Sequence, residues 1–318
     1  VPPPVHEPFN GFETSFFQDT GSGGKVVRPA GLWYTFTGSR EEARVDNRVA
    51  FITGASAGIG EALGLELARR GFRVSLAARR VNRLERLAER IRDDGGEALP
   101  LGCDVTSDAS VQSAVAETRA RFGRIDYVIA NAGFGVAGRF DGLTLDDYRN
   151  QFETNVFGVL RTIAAAREDL IASRGCLGIV GSVNSFVSMP GSSPYCMSKH
   201  ALHALAVALR HELRASGVGV VLIAPGFVDS EIRKVDNRGI VHEEAVDPVP
   251  RWLRMRADRA ARAIAHALER RSRTAVITGH GKLIVLLARH APWLVDAAIR
   301  GFGIRARREA ASGGASRA

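Results

Sequence analysis

Cysteine, lysine and long apolar runs are all scarce in this chain of 318 residues. Its three cysteines, Cys103, Cys176 and Cys196, are too few and too scattered for a disulfide framework or a zinc site. They read as reduced thiols of a cytoplasmic protein, and no metal centre is expected. No apolar run approaches the roughly 18 residues that span a bilayer. No basic stretch followed by an apolar one opens the chain, so no secretory signal is expected. Lysine occurs only at positions 25, 199, 234 and 282, so the net charge of +9 is carried by arginine. The arginines are spread along the chain. No basic block is interleaved with aromatics as a single-strand binder needs, which argues against a nucleic-acid partner.

What is present fits one large α/β domain. Hydrophobic residues make up 45% of the chain and charged residues 24%, enough for a sizeable core. Residues 1–44, rich in Gly, Pro, Ser and charge, read as a mostly disordered extension with a short apolar patch at Leu32–Phe36. From Val45 strand and helix patterns alternate as far as residue 281. Strands are expected at 49–52, 74–77, 98–103, 127–130, 177–181, 218–224 and 275–278. Helical periods fill the gaps near 81–92, 108–121, 145–171, 195–215 and 257–271. Such alternation implies a doubly wound parallel sheet with helices on both faces. Ligands then bind beyond the carboxyl ends of the strands.

The first strand runs into Thr53-Gly54-Ala55-Ser56-Ala57-Gly58-Ile59-Gly60 and then a helix. Glycines allow a tight turn and a close approach of backbone N–H groups to a pyrophosphate, and the helix N-terminus adds positive charge. Gly54–Gly58 also fits the GxSxG elbow of α/β-hydrolases. That elbow follows several earlier strands, and almost none precede it here. After the second strand, Ala78 stands where an NAD-specific fold needs an acid for the ribose hydroxyls, and Arg79 follows. A guanidinium can hold a 2′-phosphate bidentately, so NADP(H) is expected.

Tyr195 and Lys199 lie one helical turn apart, on one face. A phenol ionises near 10, and a neighbouring cation would lower that value and fit it for acid–base work. Ser182 ends a predicted strand, and Asn155 lies on the preceding helix. Cys196 points away along the helix, and His200 and His203 read as packing or surface residues.

From about Val45 to Ser230 these motifs, in this order, resemble the short-chain dehydrogenases/reductases in their compact, NADP-preferring branch. The resemblance implies a Rossmann-type fold and an oxidoreductase acting on a carbonyl or secondary alcohol. It implies Asn155, Ser182, Tyr195 and Lys199 as the catalytic tetrad. Ser182 would bind the substrate oxygen, Tyr195 would exchange its proton, Lys199 would hold the nicotinamide ribose, and Asn155 would hold a water. For the coenzyme it implies Gly54, Ser56, Gly58, Ile59, Gly60 and Arg79, with Asp104 and Val105 beside the adenine. Asn131, Ala132 and Gly133 complete that side, and Pro225, Gly226, Val228 and Ser230 the nicotinamide side. Ser230 keeps the hydroxyl of the usual Thr.

A small-molecule carbonyl or alcohol is therefore the expected substrate. Ile232, Val235, Ile240, Val246, Val249, Trp252 and Leu253 favour an apolar or lipid-like one. Arg233, Lys234, Arg251 and Arg254 could instead meet an anion, as in a 3-oxoacyl thioester. A non-catalytic NADP-binding sensor on the same fold is the other reading. Small residues at 164–166, 204, 206 and 208 suggest a homodimer or homotetramer, since family members commonly pair through these helices. Residues 282–318 read as an amphipathic segment, interrupted by Pro292, with a disordered tail from about Arg305. The segment would be a lid, a packing face or a peripheral membrane contact.

Overall fold

A computed structural model describes residues 47–301 other than residue 243. The extension expected at 1–44, its apolar patch and the tail from Arg305 lie outside these residues. Seven strands form one sheet: β1 (Val49–Thr53), β2 (Arg73–Ala78), β3 (Ala98–Gly102), β4 (Tyr127–Ala130), β5 (Cys176–Val180), β6 (Gly219–Ala224) and β7 (Thr274–Val276). Their order is β3-β2-β1-β4-β5-β6-β7, and every neighbouring pair is parallel. The order reverses between β1 and β4, where a crevice opens at the strands' carboxyl ends.

Parallel strands buried on both faces need near-continuous apolar sequence, and β1, β4 and β5 are buried throughout. Helices α1 (Gly58–Arg69), α2 (Val81–Asp93) and α7 (Ala257–Glu269) supply one side layer, with Leu63, Leu67, Leu84 and Ile264 in its core. Helices α3 (Asp108–Phe122), α5 (Gly158–Ser173) and α6 (Ser193–Glu212) supply the other, with Val111, Val159 and Leu202. Ser107 caps α3 by accepting from the Ser110 N–H at 3.3 Å, and Gly123 ends it at φ 76°.

Two expectations need correcting. The single helix expected over 145–171 is α4 (Leu145–Phe152), a π-turn at Glu153–Phe157, and α5. A period of apolar residues cannot reveal that wider turn, because one extra residue barely shifts the pattern. The expected domain edge at residue 281 falls inside α8 (Gly279–His290), whose first turn Thr278 caps. A further helical segment runs over 292–301, so Pro292 starts a helix rather than merely interrupting one. Leu283, Leu286, Trp293 and Leu294 on these helices are exposed. No described helix is long and apolar enough to cross a membrane.

Asp126 joins the strand starts. Its carboxylate accepts from the Val49 N–H at 2.8 Å and from Arg124, and its carbonyl accepts from the Cys176 N–H at 2.8 Å. It is buried, so removing the carboxylate leaves the Val49 N–H without its acceptor in the core. Asp126→Ala is expected to cost about 2–3 kcal/mol of unfolding free energy. Urea unfolding checks this, and a loss below about 0.5 kcal/mol, the size of an ordinary surface change, would contradict it.

Candidate active site

The glycine turn is built by exclusion. Gly54 and Gly58 have φ of 68° and 59°, which a side chain would strain. A Cβ on Gly54 would lie 2.8 Å from the Ala132 Cα, and one on Gly60 would collide with the Gly54 carbonyl. The turn is stitched to the end of β4. The Asn131 side chain donates to the carbonyls of Thr53 at 2.9 Å and Gly54 at 3.2 Å, and Thr53 Oγ1 accepts from the N–H groups of Asn131 and Ala132. Asn131 and Ala132 thus hold the turn's shape. Ser56 is buried on the turn and Ile59 half-buried on α1. Glycine at 54, 58 and 60 lets the turn be this tight at the N-terminus of α1, so these residues fit a dinucleotide.

The residues expected to meet the adenosine end lie at the tips of β2 and β3. Ala78 is buried, Arg79 is exposed, and the next residue, Arg80, donates through Nε to Ser56 Oγ at 3.1 Å. Burial raises the Asp104 pKa, but hydrogen bonds from Thr106 and the charges of Arg79 and Arg161 outweigh it and hold the carboxyl below its usual range. Val105 is buried against Gly158, where a Cβ would lie 2.8 Å from its Cγ2.

The loop after β4 is gripped by two buried amides. Asn155 sits in the π-turn, accepts from the Phe134 N–H at 3.1 Å, and donates to the Phe134 carbonyl and to Ser198 Oγ. Gln151 accepts from the Val136 N–H at 2.6 Å and donates to the Phe134 carbonyl. Gly133 packs on Asn155, where a Cβ would lie 2.9 Å from Oδ1. The sequence reading missed Gln151. Its signal was a second amide one turn before Asn155.

Ser182 stands just past β5 and Tyr195 in the first turn of α6, near enough for the Ser182 hydroxyl to pull on the ionisation of the phenol. Ser182 also caps a short turn by accepting from the Asn184 N–H at 3.1 Å. The Lys199 ammonium lies 5.6 Å from the Tyr195 ring centre and donates to the Val180 carbonyl at 2.9 Å. Lys199 was expected to lower the Tyr195 pKa, and the structure differs. Burial is the largest influence and pushes the phenol up, while the Ser182 hydrogen bond and the Arg233 charge pull down and are outweighed. Burial also pulls Lys199 down to about 8, which makes it a weak perturber of its neighbour.

Beyond β6, the Pro225 carbonyl accepts from the Val183 N–H at 2.9 Å, which ties this loop to the Ser182 turn. Gly226 leaves room for His280, whose Nε2 accepts from the Phe227 N–H at 3.1 Å while its ring stacks on Phe227. His280 carried no signal in the sequence, standing alone between two glycines after the last strand. Val228 is buried and bridges Met255, and Ser230 passes over Gly58. Arg233 pairs bidentately with Asp247 at 2.7 and 2.8 Å, and Arg254 bonds both Asp247 and Asp229. These ion pairs brace the loop after β6, so two of the four basic residues that could meet an anion are already engaged by carboxylates. Cys196 is buried, with its sulfur accepting from the Asn184 side chain and the Met189 N–H.

A family model described as short chain dehydrogenase matches residues 48–240. The chain belongs to the short-chain dehydrogenase family. Members are oxidoreductases that use a nicotinamide coenzyme. The chain is 35% identical over 207 residues to human dehydrogenase/reductase SDR family member 7, a match covering 63% of this chain and 61% of that one. An 11-beta-hydroxysteroid dehydrogenase A of Sesamum indicum is 34% identical over 239 residues, covering 72% and 68%. An alcohol dehydrogenase of Thermococcus sibiricus, solved with 5-hydroxy-NADP, superposes with a TM-score of 0.63 at 31% identity, covering 70% of this chain and 90% of that one. A short-chain dehydrogenase/reductase of Burkholderia phymatum, solved with NAD, gives 0.70 at 26%, covering 79% and 95%.

Gly60→Ala tests the turn directly. The methyl should push the Gly54 carbonyl out of place and weaken dinucleotide binding by about tenfold or more, a loss near 1.4 kcal/mol. Helix content by circular dichroism should be kept, because alanine favours α1. Unchanged affinity in a fluorescence titration would contradict the account.

Proposed function

We propose that the chain is an NADP(H)-dependent oxidoreductase that interconverts a carbonyl and a secondary alcohol, with Tyr195 as general acid and base. The observation that carries this reading is the gathering of Ser182, Tyr195 and Lys199 beyond β5, two strands across the sheet from the glycine turn. With the dinucleotide held at that turn, its nicotinamide would supply or accept the hydride. Ser182 donates a hydrogen bond to the substrate oxygen as negative charge develops there. Tyr195, kept protonated by burial, delivers its proton to that oxygen, which suits carbonyl reduction near neutral pH. Lys199 offers its ammonium to the ribose from a site closed to water.

The related structures were solved with an NADP derivative and with NAD, so likeness alone does not choose between the coenzymes. The residues favour NADP(H). Ala78 offers no carboxylate to a ribose, and Arg79 and Arg80 bring two guanidiniums to that end.

An apolar, lipid-like substrate is supported by the loops at the cleft. The Asn237 amide exchanges both hydrogen bonds with the Ala137 backbone, at 3.0 Å each, and so joins the substrate loop to the loop after β4. Phe140 and Ile240 stand exposed beside that junction in the sequence, and Val246 and Trp252 are exposed further along. The hydroxysteroid dehydrogenase name of one relative points the same way. Assembly as a homodimer or homotetramer belongs to the same proposal, supported by Ala164, Ala204 and Ala208, which stand exposed on α5 and α6.

Tyr195→Phe keeps the ring and removes the proton donor. NADPH should still bind, and reduction of any accepted ketone should fall at least about 100-fold, about 2.7 kcal/mol of barrier. Steady-state rates at 340 nm across a panel of ketones check this. Turnover within a few-fold of the parent would overturn the assignment.

A further inference from the structure

After Val228 the chain crosses the glycine turn before the short helical turn at Glu231–Lys234. The crossing is close, since a Cβ on Gly58 would lie 2.9 Å from the Ser230 Cβ. The strap is then fastened on the far side of the crevice. Glu231 Oε2 accepts from Arg80 Nη1 at 2.8 Å, and Oε1 accepts from Arg83 Nη1 at 2.7 Å. The Arg80 and Glu231 side chains are about a third exposed and that of Arg83 about a quarter. Arg80 therefore has two anchors: Ser56 on the glycine turn, through Nε, and Glu231 on the strap, through Nη1. Burial raises the Glu231 pKa, but hydrogen bonds from Arg83 and Arg80 outweigh it, so the carboxylate is charged at neutral pH.

Arg80 and Ser56 stand where β1 and β2 end, the place at which this fold receives the adenosine ribose. We propose that Glu231 and the coenzyme 2′-phosphate compete for the Arg80 guanidinium, so that Glu231 lowers affinity for the phosphorylated coenzyme and sets how strongly it is preferred. This rests on the NADP(H) reading above. Two anions cannot share one Nη edge without repulsion, and a phosphate carries the larger charge. Phosphate on Arg80 displaces one arm of the Glu231 clasp and leaves the other on Arg83. The residue that tunes coenzyme choice is thus on the substrate loop, far in sequence from the arginine it holds.

The test uses the full chain, calorimetry, and two probes that differ only in the 2′-phosphate: adenosine 2′,5′-bisphosphate and adenosine 5′-monophosphate. Glu231→Gln keeps the shape and removes the charge. It should bind the bisphosphate about three- to tenfold more tightly, as expected for freeing a partly exposed ion pair, and the monophosphate within twofold. In Arg80→Ala the gain from Glu231→Gln should vanish. If Glu231→Gln binds the bisphosphate no more tightly, or gains equally for both probes, the proposal is overturned. A parent that prefers the bisphosphate while Glu231→Gln changes nothing overturns the competition alone. A parent that binds both probes equally overturns the NADP(H) reading and the competition with it.

Discussion

Burying an ammonium ion beside a phenol is the constraint on which the site depends. Lys199 is almost wholly withdrawn from water, and the bond to the Val180 carbonyl compensates only part of its lost hydration. Isolated buried charges cost several kcal/mol, which is why such groups shift toward their neutral forms. The carbonyl has to be presented at the end of β5, and Ser182 has to follow it. β5 is buried throughout, so its register is held by neighbours on both sides. The π-turn belongs to the same arrangement. It places the Asn155 amide where it can hold both Phe134 and Ser198, the latter one residue before Lys199.

The coenzyme side follows a different logic, since what matters there is the lack of side chains. Gly54, Gly58 and Gly60 each face an atom that a Cβ would crowd, from Ala132, Ser230 and the turn's own backbone. The stitching by Thr53 and Asn131 makes the end of β4 part of the same rigid unit. The Pro225–Phe227 loop is held in turn by Val183 and His280. The proposed coenzyme cradle and the proposed proton-transfer groups are therefore linked through Val183 and the Pro225 loop.

Much of this was legible in the sequence because it rests on local rules. Buried parallel strands are continuous apolar runs, so β1, β4, β5 and β6 appear within a residue or two of their true limits. The glycine turn and the pair Tyr195 and Lys199 follow from spacing along one element. The rest depends on partners distant in the chain. Arg80 meets Glu231, Arg233 meets Asp247, and Phe227 meets His280, and no local pattern marks such pairs. Arg233 and Arg254 look available for an anion until their carboxylates are found. The direction of the Tyr195 shift was also hidden, because spacing puts a cation nearby but says nothing of how deeply both groups are buried.

The central claim is that Tyr195 is a half-buried phenol, protonated across the neutral range and ready to give its proton to a carbonyl oxygen. Its ionisation can be read from the tyrosinate absorbance near 295 nm, as the difference between the protein and Tyr195→Phe while pH is raised. Because the folded value is raised above the ordinary one of about 10, the account predicts that Tyr195 is less than half ionised at that pH and protonated across the neutral range. A tyrosinate signal lost on substitution and appearing between about pH 6 and 8, well below that ordinary value, would contradict it.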